Sequence, residues 1–413
     1  MTALMQYRFS PFLNYERALR TKIHDSLEGN IIDQIIKATD AMEQQDDSDF
    51  RASLALTKLK VEPEVMPHLY QLFHDTIAKL GFDRQVDFYI TNSKDINACT
   101  YFGTTPDRPL IIDINSALIE LMSEDELRFV IGHELGHQIN KDGELNKLVS
   151  FVFPDLQSMS PMLLQLKVLA WRQLCELVAD RFGFLAAGNR NACISAFFKL
   201  HSGLNLKGMN IDIDAFVRHN NKLLSHYYDG KFLSLSNYDH PADAIRVEAI
   251  NAFATASSEE ELDKTMRKLV YMVSRITTSE IDEHIPYFMA AAGLVIANAD
   301  GVVTKEEQES ILQRISQYDL FPMSILEEVA KDDVMKVFNE NLQAILTKNP
   351  DLRSEMFTFV MDQVLSDNKL KAKEVNLMLK IGVEAFGFSQ NDVMNAFAQR
   401  IREVFRPSFS SIC

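Results

Sequence analysis

The chain has 413 residues, more than one hydrophobic core usually supports, so two or three domains are expected. A formal net charge of −16, with no basic run, argues against nonspecific binding to nucleic acid or to anionic membranes. No stretch reaches the roughly 18 uninterrupted apolar residues that a spanning helix needs. The nearest, residues 162–171, is short and carries Lys167.

Cys99, Cys175, Cys193 and Cys413 lie far apart and form no C-x-x-C pair, a usage that suits reduced thiols in a cytosol. Residues 1–8 lack the basic and apolar regions of a secretory signal. The expectation is a soluble, cytoplasmic protein.

In chain order, residues 1–60 read as amphipathic helices with a polar break at 43–49. Strand candidates follow at 86–90 and 110–114. Ser123-Glu124-Asp125-Glu126 then forms an S-x-x-E capping box with acidic residues in the first turn, the signature of a helix start. Leu127, Val130, Ile131 and Leu135 recur at helical spacing and give that helix a buried face.

This helix carries His133-Glu134-Leu135-Gly136-His137. Residues i and i+4 share a helix face, so both imidazoles can reach one metal ion. Glu134 then stands beside the open coordination position, where it can take a proton from metal-bound water. Histidines turned toward a core need partners, and a metal is the simplest one.

A catalytic zinc needs a third protein ligand and one open position. Residues 138–170 read as a loop and helix covering the site. Beyond them, Glu176 and Asp180 are four apart on one face of an apolar helix that ends before Gly188. Glu176 is the candidate third ligand. Asp180 is the candidate acceptor for the free ring N–H of a ligand histidine, which would fix its tautomer. Cys175, adjacent to Glu176, faces another way on a helix and reads as packing.

With Asn97-Ala98, the strand-like segment 109–113, the 132–137 helix, the Glu176 and Asp180 helix, and Asp239-His240-Pro241 followed by Arg246, residues 60–255 resemble a known family. It is that of the HtpX-like and CAAX prenyl protease-like gluzincin peptidases. The resemblance implies a mainly α (α+β) zincin-type metallopeptidase domain with a small sheet and an HExxH helix, one catalytic Zn2+ and peptide-bond hydrolysis. It implies contact of His240 and Arg246 with substrate, transition state or the open zinc position. Alone, a His-Pro dipeptide more often marks a helix entry. An extended substrate would add to an exposed strand edge, expected at the apolar runs around Asn97-Ala98 and Leu110-Ile114. The ligand set alone leaves an esterase or amidase open. Many relatives of that family are membrane proteins, and the lack of spanning helices here separates this chain from them.

Residues 256–281 read as a turn and connector helix. From Pro286 an apolar helical run stops at Asp300-Gly301, and Thr304 opens the next helix with Glu307 three residues on. Asp367 and Glu374 repeat the spacing of Asp300 and Glu307 at a second helix–turn–helix junction. An EF-hand register would put Ile296 at the first ligand position, which a calcium loop does not tolerate. Capping by aspartate, or a weak divalent-cation site, accounts for these acidic turns. Residues 282–405 resemble the TerB-like helical domain of tellurite-resistance proteins.

The expected layout is a helical region over 1–60, a zinc metallopeptidase domain over 61–255, the connector over 256–281, and an all-α TerB-like domain over 282–413. Partners are a peptide or protein substrate and a protein recruited by the C-terminal domain. The alternative is a latent or non-proteolytic zinc-binding scaffold or stress-response protein acting through the TerB-like domain. Because a purely structural zinc site has no use for Glu134, the residue set favours the enzyme.

Overall fold

In a computed structural model, residues 7–43, 48–101, 108–205, 211–228, 240–274, 280–301, 303–367 and 369–404 are described. The chain divides into two compact units, residues 1–274 and 275–413.

The first unit opens with α1 (Asn14–Ser26), α2 (Gly29–Glu43) and α3 (Ser48–Thr57), followed by the two-residue strand β1 (Leu59–Lys60) and α4 (Pro67–Leu80). Proline at the start of α4 and a left-handed Gly81 at its end are the usual helix punctuation. Strands β2 (Val86–Thr91), β3 (Ala98–Thr100) and β4 (Leu110–Asn115) complete a four-stranded sheet of order β1-β2-β4-β3. β2 runs parallel to β4, pairing Phe88 with Ile112, and β3 runs antiparallel to β4, pairing Ala98 with Ile114. β4 lies between two strands and is buried on both faces. That is why Leu110-Ile111-Ile112 is continuous rather than alternating. Its one carboxylate, Asp113, is held by Lys58 and, at 2.8 Å, by Thr91.

Next come α5 (Ser116–Leu121), α6 (Glu124–Ile139), α7 (Asp142–Val152), α8 (Leu156–Met159) and α9 (Met162–Ala187). The unit closes with α10 (Arg190–Ser202), α11 (Ile213–Tyr228), α12 (Asp243–Thr255) and α13 (Glu259–Ser274). Its capping box starts α6 at Ser123, with Glu126 reaching back to the Ser123 amide at 2.6 Å. Segment 138–170 is not one loop and helix: it holds α7, α8 and the first two turns of α9, with α7 packed on α1, α2 and α6.

α6 and α9 form the central packing of this unit. Small residues let them approach. A Cβ on Gly132 would stand 2.4 Å from the Ala186 Cβ, and one on Gly183 would stand 2.7 Å from the Phe129 ring. Both separations are far inside van der Waals contact, so the interface requires these glycines. Phe129, Trp171, Phe182 and Phe197 fill the core around them.

The second unit is helical throughout its described residues, with α14 (Glu280–Ala297), α15 (Lys305–Ile315), α16 (Pro322–Lys331), α17 (Val334–Lys348), α18 (Arg353–Val364), α19 (Ala372–Glu384) and α20 (Gln390–Val404). α14 begins six residues before Pro286, which sits inside it rather than opening it. Phe288, Ile311, Phe338, Val360 and Met378 belong to its core. Among the described residues, no helix is long and apolar enough to cross a membrane.

Candidate metal centre

Four helix positions on α6 and α9 build the site. His133 and His137 lie one turn apart on α6, and Glu176 and Asp180 one turn apart on α9. The close approach of the two helices turns these pairs toward each other. His133 Nδ1 is 2.9 Å from Asp180 Oδ1, and His137 Nδ1 is 2.8 Å from Asp142 Oδ2. A carboxylate only accepts, so each Nδ1 donates to its carboxylate, and Nε2 is the ring atom left to face a metal.

The two Nε2 atoms lie 3.1 Å apart; that of His133 is 3.4 Å from Glu176 Oε2, and that of His137 is 3.4 Å from Glu176 Oε1. Ligands bonded at about 2.0–2.2 Å in a tetrahedron stand roughly 3.3 Å from one another. The spacing of the three therefore fits one zinc-sized ion. The buried Glu176 Oε2 also has no hydrogen-bond partner, as expected of an oxygen reserved for a metal.

Electrostatics agree. Burial opposes a charge on His133, yet Asp180 and Glu176 outweigh it and hold the ring's pKa up to about 10. Burial likewise works against ionised Glu176, but His133, Arg246 and His137 keep its carboxyl well below the usual range. A field that retains a proton this strongly also favours a cation among the same groups.

Glu134 is buried on α6, and the hydroxyl of Thr100 on β3 donates to its Oε2 at 2.9 Å. Ala98 opens that same edge strand, and Asn97 directly precedes it. The Asn97 carbonyl accepts from the Asn115 amide at 3.0 Å. His240 is 65% exposed, with Nε2 3.6 Å from Glu176 Oε1, so it stands on the solvent side of the cluster. Asp239 lies outside the described residues.

Arg246 is placed differently from the expectation of a substrate contact. Its guanidinium, on α12, is spent on Asp180 at 2.6 and 2.8 Å and lies 3.6 Å from Glu176 Oε2. It stands behind the ligands, as a counter-charge for two buried carboxylates.

Sequence reasoning missed Thr100 and Asp142. Thr100 carries no motif. Asp142 follows His137 by five residues, across a helix end, where helical spacing no longer predicts a shared face.

In the second unit, Glu307 and Glu374 occupy the same third position of α15 and α19. Glu307 closes a capping box with Thr304, its Oε2 accepting from the Thr304 amide at 2.7 Å. The Lys371 ammonium lies 3.0 Å from Glu307, 3.3 Å from Asp367 and 2.9 Å from Glu374. A built-in cation thus sits where a divalent ion was considered. The Asp300 side chain is outside the described residues.

Residues 63–254 match Peptidase family M48. Over 137 residues the chain is 29% identical to the plastoglobule-localized metallopeptidase 48, chloroplastic, of Arabidopsis thaliana, covering 32% of this chain and 39% of that protein. Over 165 residues it is 27% identical to a protease HtpX homolog of Pyrobaculum calidifontis, covering 33% of this chain and 47% of that protein. The chain thus spans less than half the length of these curated relatives. No solved structure matches at a comparable level of significance. The chain carries a peptidase family M48 domain over residues 63–254.

Proposed function

We propose that the protein is a zinc-dependent endopeptidase of the HExxH, gluzincin type, with His133, His137 and Glu176 as metal ligands and Glu134 as general base. The observation that carries this reading is the convergence of ligand atoms from His133, His137 and Glu176 within 4.8 Å of one another, with the buried Glu134 carboxylate directly after His133.

Bound there, zinc would act as a Lewis acid, polarising a scissile carbonyl and lowering the pKa of a coordinated water. The chain's own residues supply the rest. Glu134 accepts a proton from the attacking water and returns it to the leaving amine. Thr100 holds Glu134 Oε2 so that the other oxygen is free to act. Asp180 and Asp142 aim the two imidazoles. Arg246 balances Asp180 and Glu176. His240, exposed beside Glu176, is placed to meet substrate. An extended peptide would add along Asn97 and Ala98 to β3, which among the described residues pairs in the sheet with β4 alone.

We assign residues 282–405 to a TerB-like recruitment or regulatory domain, supported by the duplicated Glu307 and Glu374 positions and their shared Lys371.

Cleavage of casein by zinc-loaded wild type, set against Glu134→Gln, tests the enzyme reading. The expected result is cleavage by wild type alone, with zinc retained in both. Equal cleavage by both would overturn the role of Glu134. Silence from both, with stoichiometric zinc, would favour the latent or scaffold alternative.

A further inference from the structure

The N-terminal helix α1 lies outside residues 63–254, yet it reaches the metal cluster through one side chain. Arg20 Nη2 donates to Asp142 Oδ1 at 2.7 Å, while Asp142 Oδ2 holds His137 Nδ1 at 2.8 Å. Arg20 Nη1 donates to the Lys141 carbonyl at 3.0 Å, fixing a residue whose φ of 60° is left-handed. Asn140 Nδ2 adds a bond to Asp142 Oδ1 at 2.8 Å.

The other side of Arg20 continues to α9. Its Nε donates to Glu16 Oε1 at 2.8 Å, and the same oxygen accepts from Trp171 Nε1 at 2.7 Å. Cys175 Sγ is 3.7 Å away. Trp171 and Cys175 precede the ligand Glu176 on its own helix. A continuous run of polar contacts therefore leads from His137 through Asp142, Arg20 and Glu16 to the helix that carries Glu176.

We propose that Arg20 is a positioning residue for the metal centre, locking the Asp142 carboxylate in the orientation that aims His137. The inference rests on the reading of His133, His137 and Glu176 as metal ligands. A carboxylate on one rotatable bond can turn, and a planar guanidinium bonded at three of its nitrogens fixes it. Glu16, Asp142 and Cys175 are themselves a set of metal-ligating side chains brought together. The guanidinium already lies between the two carboxylates, so that cluster is a clamp and not a second ion site. The M48 domain thus borrows part of its metal support from a helix that precedes it.

The test is the zinc affinity of the full chain, by competition with a chromophoric chelator, together with the visible spectrum of the cobalt-substituted protein. Wild type is compared with Arg20→Met, with the double variant Glu16→Gln/Arg20→Met, and with His137→Ala. The double variant removes the buried Glu16 charge together with its Arg20 partner, so no uncompensated carboxylate remains at Glu16 to unfold the chain. Both Arg20 variants should bind zinc about tenfold more weakly, or worse, and shift the cobalt spectrum while keeping the wild-type far-ultraviolet dichroism. Wild-type affinity and spectrum in the double variant would overturn the clamp while leaving the metal reading intact. Wild-type zinc affinity in His137→Ala would instead overturn the ligand assignment, and the clamp with it.

Discussion

A Cβ on Gly136 would stand 2.8 Å from the Cα of Ala179, so the α6 and α9 backbones touch one residue before His137 and one residue before Asp180. The contact sets the distance between the histidine pair and the carboxylate pair. Backbone cannot give way as a flexible side chain would. Gly136→Ala gains about 1 kcal/mol of helix propensity, but overpacking of this kind costs about 1–3 kcal/mol and has no cheap relief. The expected outcome is net destabilisation of up to about 2 kcal/mol in denaturant unfolding, with weaker zinc binding. An unchanged midpoint together with unchanged zinc affinity would show that the helices can separate freely.

Arg246 tests the difference between a substrate contact and a counter-charge. Removing it leaves Asp180 buried without its guanidinium, and breaking such a pair costs about 3–5 kcal/mol. Arg246→Met should therefore lower stability and zinc content together, whereas Glu134→Gln lowers neither. A variant with wild-type stability and zinc, but a raised KM, would return Arg246 to the substrate.

Acid should weaken the first unit through Glu126, even without metal. Burial raises the pKa of this carboxyl, but Lys199, at 2.6 Å, and the Ser123 amide outweigh it and bring the value below 4.5. A folded-state pKa below the unfolded one gives stability that is full above about pH 4.5 and is lost as pH falls through the depressed value. Glu126→Gln should cost about 1–3 kcal/mol at pH 7, because Lys199 loses a charged partner. It should also flatten the decline of stability on acidification. Unfolding of the metal-free protein in denaturant between pH 7 and 3 measures both, and parallel curves for the two proteins would exclude this source.

Much of the site is local in origin. The two histidines share one face because an α-helix has 3.6 residues per turn, and the same period puts Asp180 on the face of Glu176. The Ser123 and Glu126 capping box fixed where that helix begins, again by short-range bonding. Strands β2 and β4 were legible as apolar runs. β1, with two residues, was too short to show a period, and β3 was expected only as an edge near Asn97 and Ala98. Pro286 misled because proline is commonest in a first helical turn, and here packing of α14 in its core outweighs the lost bond.

By itself, the sequence determined the two helices that carry the candidate ligands and their mainly helical setting, because periodicity and capping act over one or two turns. Only the tertiary structure decided that Asp142 serves His137, that Thr100 holds Glu134, that Arg246 faces carboxylates, and that Arg20 reaches in from α1. These contacts join residues on different elements or across a helix end. No local spacing encodes them; they exist because glycine-lined helices pack closely enough to bury charges that must then find partners.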